Sequence, residues 1–461
     1  MPTLSHITLP TIEAPTEMPA LSLSEYTARL DVVLDRMEVE KFDFLVIYGD
    51  REHFANLCYL TGFDPRFEEA VLLLGKDGHR KLLVGNECLG YLPDERMEIE
   101  IELFQEFSLL GQPRAASRPL RTILEEFGIR PGAAVGCVGW KYFDGELIDD
   151  APAAIEIPAY LVDLLRRITT ETIKLVNATR LFMNPRDGLR IGNSAAQIAQ
   201  FEFAATHCSQ SVFALLQHIE AGSRERDLEK YLDSAGLPLS CHSMISFGDK
   251  ARRGLSSPSD NGAQLGDPFT VALGVQGSLV SRAGAVAHSE ADLPAATRDF
   301  YPRFAANYFD VVVAWYSNVK VGASAGDVFR AVEARRDPSL FQFAVNPGHY
   351  IHLDEWLNSP FYDGSDIPLR SGMALQMDII PVSQGPFCYA NMEDGIALAD
   401  AELRDTLESR YPQMWSRIQQ RRAFMRDVIG IPLDDSVLPL SNTAGWLAPY
   451  ILDVEQAFVN K

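Results

Sequence analysis

The chain has 461 residues, of which 47% are hydrophobic and 23% are charged, and its net charge is −22. This composition indicates a globular protein of about two domains and excludes a disordered chain, a collagen and a coiled coil. An acidic chain without a basic patch is not expected to bind nucleic acid. No apolar run reaches the roughly 20 residues of a membrane span, and the N-terminus lacks the features of a signal peptide. We therefore expect a cytoplasmic protein with no nucleic-acid and no membrane partner.

The first third of the chain predicts an α/β domain. Residues 1–23 are rich in Pro, Thr and Ser and are expected to form an arm, and a helix is expected to begin at Ser24, whose hydroxyl can cap its first turn. Short apolar runs separated by Gly, Asp and Pro turn signals predict strands at 42–48, 70–74, 81–84, 99–104 and 134–138. A helix is predicted at 117–127. Because strands and helices alternate, we assign residues 24–165 to one α/β domain.

The remainder, residues 166–461, predicts a second domain of the α+β class. Apolar residues at helical spacing predict helices at 172–183, 191–220, 224–235 and 294–318. Strand-like runs lie at 243–247, 269–275, 374–381 and 394–398. Long helices packed on an antiparallel or mixed sheet account for this pattern.

Three segments near the C-terminal end place polar side chains in apolar surroundings. In the first, His349 and His352 precede two carboxylates, which is a pattern typical of an acid–base or metal cluster, although histidines that cap a turn would look the same. In the second, Asp378 lies inside an apolar strand, where an unpaired buried charge would cost several kcal/mol, so it must face a polar cavity, a cation or donors. In the third, the pair Glu393-Asp394 opens another apolar strand.

In order and spacing these segments resemble the pita-bread superfamily, which contains creatinase, aminopeptidase P, prolidase and methionine aminopeptidase. Its C-terminal half has a Gly-His segment, a "Gly-Met … Glu-Pro" strand and a "Glu-Asp-Thr" strand. Gly348-His349, Gly372-Met373 with Asp378, and Glu393-Asp394 stand in this order. Tyr59-Leu60-Thr61-Gly62-Phe63 is similar to the creatinase-type N-terminal domain. The resemblance implies a creatinase-like α/β N-terminal domain followed by an α+β pita-bread domain.

The resemblance also identifies what this chain lacks. Metallopeptidases of the superfamily hold two metal ions with two Asp, one His and two Glu. Here the position of the first Asp falls at Ala272, and the segment of the second, 277–282, has no carboxylate. His349, Asp378 and Glu393 remain, which is enough for a single divalent ion but not for a pair. We therefore expect no cofactor, with a single divalent metal on these three residues as the alternative.

The function implied is a hydrolase that acts on a C–N bond of a small polar molecule or short peptide, because creatinase, the metal-free member, performs such a reaction by acid–base catalysis. The catalytic candidates are His349, His352, Asp378 and Glu393. The candidates for substrate binding are Arg252, Arg253, Arg66 and Tyr350. Three alternatives stay open: an Xaa-Pro aminopeptidase-like metallopeptidase with a reduced single-metal site, a C–S lyase, and a non-catalytic ligand-binding homologue. The superfamily also implies a homodimer.

Overall fold

The structure is a computed structural model that describes residues 2–145, 147–170, 175–385 and 390–460, except for the side chain of Arg253. The chain divides into two compact units. The smaller is Leu21–Arg190, and the larger combines Met1–Ala20 with Ile191–Lys461. The first strand, β1 (Thr3–His6), pairs antiparallel with the last strand of the chain, Gln456–Val459. The predicted arm therefore carries a strand of the larger unit.

The smaller unit is a six-stranded mixed sheet with helices, in agreement with the predicted α/β class. From one edge to the other the strand order is β5-β4-β3-β2-β6-β7, in which β3 is antiparallel to both neighbours and the β4–β5, β2–β6 and β6–β7 pairs are parallel. Its elements are α1 (Leu23–Glu40), β2 (Phe44–Gly49), α2 (Ala55–Thr61), β3 (Ala70–Gly75), β4 (Arg80–Val84), β5 (Glu100–Leu103), α3 (Leu120–Phe127), β6 (Val135–Val138), α4 (Ala159–Thr169), β7 (Leu175–Asn177) and α5 (Arg180–Met183).

Two details of this unit differ from the sequence prediction. The cap of α1 is Ser22, whose side chain accepts a hydrogen bond from the Glu25 amide, so the helix begins one residue before Ser24. The helix predicted at 172–183 is confirmed only at Arg180–Met183 and is wrong at Leu175–Asn177, which is the edge strand that pairs with β6. Residues 171–174 lie outside the described part. This strand also carries the unit beyond the predicted limit at residue 165.

The larger unit is built on a seven-stranded sheet of antiparallel pairs, with helices packed on it. The strand order is β12-β13-β15-β10-β9-β8, with β16 also paired to β15. Its elements are α6 (Ala195–Leu216), α7 (Glu225–Leu228), β8 (Met244–Phe247), β9 (Pro268–Val275), β10 (Ser278–Ala285), α8 (Tyr301–Asn318), α9 (Ala325–Glu333), β11 (Phe341–Phe343), β12 (His349–Tyr350), β13 (Ala374–Asp378), β14 (Pro381–Ser383), β15 (Asn391–Leu398), α10 (Ala401–Arg410), α11 (Pro412–Ala423), β16 (Val437–Pro439) and β17 (Gln456–Val459).

The central helix α6 and the β9–β10 hairpin set the geometry of this sheet. Ser194 caps α6 by accepting a hydrogen bond from the Gln197 amide, and the helix is buried almost all round because it lies against β9 and β10. The hairpin turns at Gly277, whose φ of +91° favours glycine, and a Cβ there would stand 2.6 Å from the Phe201 ring. The helix predicted at 224–235 is much shorter than expected, because α7 ends at Leu228.

No helix in the described ranges has both the length and the apolar character that a bilayer crossing requires.

Candidate active site

Four ionisable side chains meet on one face of the larger unit's sheet. Three come from strands: His349 from β12, Asp378 from the end of β13 and Glu393 from β15. Their ligating atoms all lie within 4.8 Å of one another. The fourth, Glu355, follows β12, and its Oε1 lies 3.4 Å from His349 Nε2. The structure thus brings together three of the four predicted catalytic residues and adds a further carboxylate.

Strand register explains why these residues meet. Asp378 pairs with Glu393, Glu393 pairs with Ser281, and Ser281 pairs with Ala272, so that the four residues form one row across neighbouring strands. His349 pairs with Gln376, which lies two positions before Asp378 on β13, so His349 belongs to the next row on the same face. Residues that are paired across strands, or lie two apart along one strand, point to the same face of a sheet. The side chains of this row therefore lie on one face of the sheet.

Burial perturbs the carboxylates of this cluster. His349 is fully buried, and Asp378 and Glu393 are only 3% and 6% exposed. Burial raises the pKa of Glu393 to about 7 and that of Glu355 to about 7. Burial, together with the neighbouring charge of Glu393, raises the pKa of Asp378 well above its ordinary value. The cluster therefore retains protons near neutral pH and favours any cation that enters.

Two polar atoms of the cluster remain available to a ligand. Gln376 Nε2 donates a hydrogen bond to Glu393 Oε1 at 3.1 Å. His349 Nδ1 lies 3.1 Å from the Tyr350 carbonyl, which assigns its proton to that side and leaves Nε2 facing the carboxylates. Across the described residues, His349 Nε2 and Asp378 Oδ1 have no hydrogen-bond partner. Buried polar groups are normally satisfied, so these two atoms mark a place for a ligand.

The other acid of the predicted pair, Asp394, has a different environment. Its Oδ2 accepts a hydrogen bond from Arg282 at 2.7 Å, and its Oδ1 accepts from Ser441 at 2.6 Å and from Thr443 at 3.1 Å. Arg282 is only 2% exposed, so this is a buried ion pair. Successive residues of a strand face opposite sides, and Asp394 therefore stabilises the fold while Glu393 faces the cluster.

A cavity of about 670 Å³ opens onto the cluster, and its wall includes Glu355, Trp356 and Arg252. The Trp356 ring stacks on the His349 imidazole with centroids 4.2 Å apart and planes 23° from parallel. With 39% of its surface exposed, Trp356 covers the imidazole while it faces solvent on its other side. The cavity thus combines carboxylates, an aromatic ring and one guanidinium group.

No family model and no curated protein matches the sequence. Solved structures do match the fold. The prolidase from Pyrococcus horikoshii OT3 is 16% identical, with a TM-score of 0.58 over 81% of this chain and 95% of that one. The dipeptidase PepE from Mycobacterium ulcerans is 18% identical, with a TM-score of 0.61 over 82% and 94%. The X-Pro aminopeptidase from Thermotoga maritima MSB8 is 12% identical, with a TM-score of 0.59 over 80% and 95%.

The chain has the pita-bread fold. The predicted fold class, an α/β N-terminal domain with an α+β pita-bread domain after it, is thereby confirmed. At 12–18% identity these matches describe the architecture. The chemistry of the site has to be argued from its own residues.

The residues of this pita-bread domain do not fit a pair of metal ions. In the row across the sheet, the positions next to Glu393 on β10 and β9 are Ser281 and Ala272, and neither strand contains a carboxylate. Two ions need bridging acids that these strands do not supply. A single ion does fit, because His349, Asp378 and Glu393 are the one group of potential ligands found in the described part of the chain. Three protein ligands are the number typical of a catalytic zinc site.

Two predicted site residues lie away from the cavity wall. His352 is buried, and its ring meets the edge of Phe201 at a centroid distance of 5.3 Å. Tyr350 is also buried and contacts Met373, with its hydroxyl 3.8 Å from the sulfur. Because Tyr350 follows His349 on a strand, it faces the opposite side of the sheet. The cavity wall includes neither residue.

The predicted arginines fall in three different situations. Arg252 lines the cavity, and its Nε lies 3.4 Å from an Asp249 carboxylate oxygen. The side chain of Arg253 lies outside the described part of the structure. Arg66 belongs to the smaller unit, where its guanidinium lies over the Phe54 ring at 5.6 Å. A role in substrate binding stays a prediction for all three.

Sequence reasoning did not select Glu355, Trp356 and Gln376 as site residues. Glu355 and Trp356 follow the histidine pair in a turn, where no periodicity shows the direction of a side chain. Gln376 was accessible to sequence reasoning, because it lies two residues before Asp378 on one strand and must share its face.

Proposed function

We propose that this protein is a hydrolase that cleaves a C–N bond of a small polar substrate or short peptide by acid–base catalysis. The observation that carries the proposal is the convergence of three carboxylates that line a cavity on one imidazole buried behind them, with His349 Nε2 within 3.4 Å of both Glu355 and Glu393. Pairs of titratable groups with perturbed pKa values in a cleft are typical of catalytic sites.

The geometry supports distinct roles for these groups. His349 Nε2 faces Glu355 and Glu393, which line the cavity, and has no hydrogen-bond partner among the described residues, so it can accept a proton from an attacking water. Glu355 and Glu393 hold protons near neutral pH, since burial raises the pKa of each to about 7, and one of them can protonate the leaving nitrogen. Asp378 presents an unpaired Oδ1 that can orient the water or a positively charged group of the substrate.

The substrate class follows from the cavity and from the comparisons. A volume of about 670 Å³ accommodates a small molecule or a dipeptide. Arg252 on the wall can bind a carboxylate of such a substrate. Because the matching structures include a prolidase, a dipeptidase and an X-Pro aminopeptidase, Xaa-Pro dipeptides belong among the substrates to test.

The test is hydrolysis of a panel of dipeptides and small amides, with release of amine measured in the presence and absence of EDTA. We expect EDTA-resistant turnover that falls at least about 100-fold in His349→Ala, which is the usual contribution of a general base. His218→Gln is the matched control, because this exposed histidine lies outside the cavity wall just after α6, with Nδ1 2.7 Å from the Ala214 carbonyl and its ring stacked on Tyr231. Unchanged turnover in His349→Ala would remove the imidazole from the mechanism.

A single-metal hydrolase is the second candidate, because the ligating atoms of His349, Asp378 and Glu393 lie within 4.8 Å of one another. A divalent ion held there would supply a Lewis acid. Equilibrium dialysis with Mn²⁺ and Zn²⁺ tests this candidate. One tightly bound equivalent that is lost in Asp378→Asn would support it, and activity that survives EDTA would exclude it as the mechanism.

If the panel produces no product while ligands bind tightly, the protein is a binding homologue that retained the cavity. The homodimeric state and the cytoplasmic location stay predictions. Light scattering of the purified chain measures the oligomeric state directly.

A further inference from the structure

The acidic cluster shares its cavity with an apolar wall. Met244, Ala272 and Leu279 form a separate small cluster of buried residues, and the partly buried Cys241 packs against it. All four of these residues, which we call the apolar subsite, line the same cavity as Glu393 and Asp378. The proposed acid–base chemistry uses none of them, so the apolar subsite needs a separate explanation.

Strand register gives the distance between the two ends of the cavity, the acidic cluster and the apolar subsite. Glu393 lies on β15, and the apolar subsite begins on the neighbouring strands, with Ala272 two strands away and Met244 three strands away in the same row. Neighbouring strands lie about 4.8 Å apart, so the subsite extends from about 5 to about 14 Å from the Glu393 strand. That span matches a short hydrocarbon chain.

One side chain fixes the two ends relative to each other. Gln376 Nε2 donates to Glu393 Oε1 at 3.1 Å and to the Leu279 carbonyl at 2.7 Å. The amide thus connects an acid of the cluster with the backbone of an apolar-subsite residue. A ligand that bridges the two ends would meet a preorganised surface, which lowers the cost of binding.

The acidic end favours a cation. Glu355, Asp378 and Glu393 are three carboxylates around one imidazole, and Asp378, which is 3% exposed, has an Oδ1 without a hydrogen-bond partner in the described residues. Burial of the unpartnered Asp378 oxygen is costly, and an ammonium group that donates to it offsets this cost. The apolar end offers methyl and thiol groups, which bind hydrocarbon better than they bind a hydrated ion.

We propose that the cavity binds an organic cation with two parts: a primary ammonium group held by Glu355, Asp378 and Glu393, and an apolar chain that lies over Ala272, Leu279 and Met244. The inference rests on the proposed function in that it names the substrate class of the same site. The small side chain at Ala272 is what makes room for the apolar part.

The experiment is isothermal titration of the chelator-treated full chain with n-alkylammonium chlorides from methyl to hexyl. Each buried methylene contributes about 0.8 kcal/mol, so affinity is expected to rise about three- to fourfold per methylene until the subsite is filled. Ala272→Leu is expected to abolish the rise while methylammonium binding persists. Glu393→Gln is expected to weaken every member of the series by a similar factor.

Ala295→Leu is the matched control, because this exposed turn residue lies outside the cavity wall and should leave the series unchanged. If Ala272→Leu fails to fold, Leu279→Ala replaces it and should weaken hexylammonium more than methylammonium. An affinity that does not depend on chain length in the wild type, or a rise that persists in the folded subsite variants, overturns the inference.

This result is distinct from a failure of the proposed function. A chain-length dependence without hydrolysis of any substrate would retain the organic-cation site and reject the hydrolase. Hydrolysis without a chain-length dependence would do the reverse.

Discussion

Glu393→Gln is expected to make the ligand-free protein more stable at pH 8. Burial raises the pKa of Glu393 to about 7 from an ordinary value of 4.5, so the folded state holds this proton more tightly than the unfolded state. Ionisation of Glu393 in the folded state therefore lowers the free energy of unfolding. This loss is absent below about pH 4.5, grows between pH 4.5 and 7, and is complete above pH 7. At 1.36 kcal/mol per pKa unit, the cost at pH 8 is about 3 kcal/mol. The neutral amide removes this cost and retains an oxygen that can accept the hydrogen bond from Gln376.

The measurement is urea unfolding of EDTA-treated wild type and variant at pH 4.5 and pH 8. We expect a gain of about 3 kcal/mol at pH 8 and little difference at pH 4.5. Glu202→Gln is the matched control of opposite sign, because Glu202 is equally buried but is paired with Arg417 at 2.6 Å and Arg421 at 2.7 Å. Removing one partner of a buried ion pair costs about 3–5 kcal/mol. A Glu393→Gln protein that is no more stable than wild type at pH 8 would refute the electrostatic account of the site.

Three further perturbations test the site and its support. Ala272→Asp should lower the melting temperature in the absence of metal. Mn²⁺ at 100 times the Kd of this variant should stabilise it by about 2.7 kcal/mol, and the same Mn²⁺ concentration should stabilise wild type less; equal stabilisation of both would contradict the proposed absence of a second ion position. Arg282→Met should cost about 3–5 kcal/mol in urea unfolding, because it leaves Asp394 buried and unpaired. Glu225→Gln should speed hydrogen exchange in the segment that bears the cavity arginine, because Glu225 holds the Lys250 ammonium there; unchanged exchange would show that the ion pair does not order this segment.

Much of the architecture was accessible from local patterns. Alternating strands and helices indicated the α/β first unit, and the apolar runs that contain Asp378 and Glu393 are strands β13 and β15. A charge inside an apolar strand has to face something polar, so Asp378 could be selected as a site residue before its surroundings were known. The prediction of a helix at 172–183 was wrong where tertiary pairing overrode local propensity, because Leu175–Asn177 pairs with β6 as an edge strand.

The sequence by itself determined which residue types are present and which are missing: the Gly348-His349 segment, the apolar strands that carry Asp378 and Glu393, and a β9–β10 hairpin without carboxylates. Only the tertiary structure decided that Glu393 faces the cavity while Asp394 pairs with Arg282, and that Glu355 joins His349. The physical reason is that a strand's period of two allows either of two adjacent acids to face inward, and that a turn has no period at all. The register between strands that are distant in sequence determines which acid faces inward. It also places the apolar subsite beside the acids.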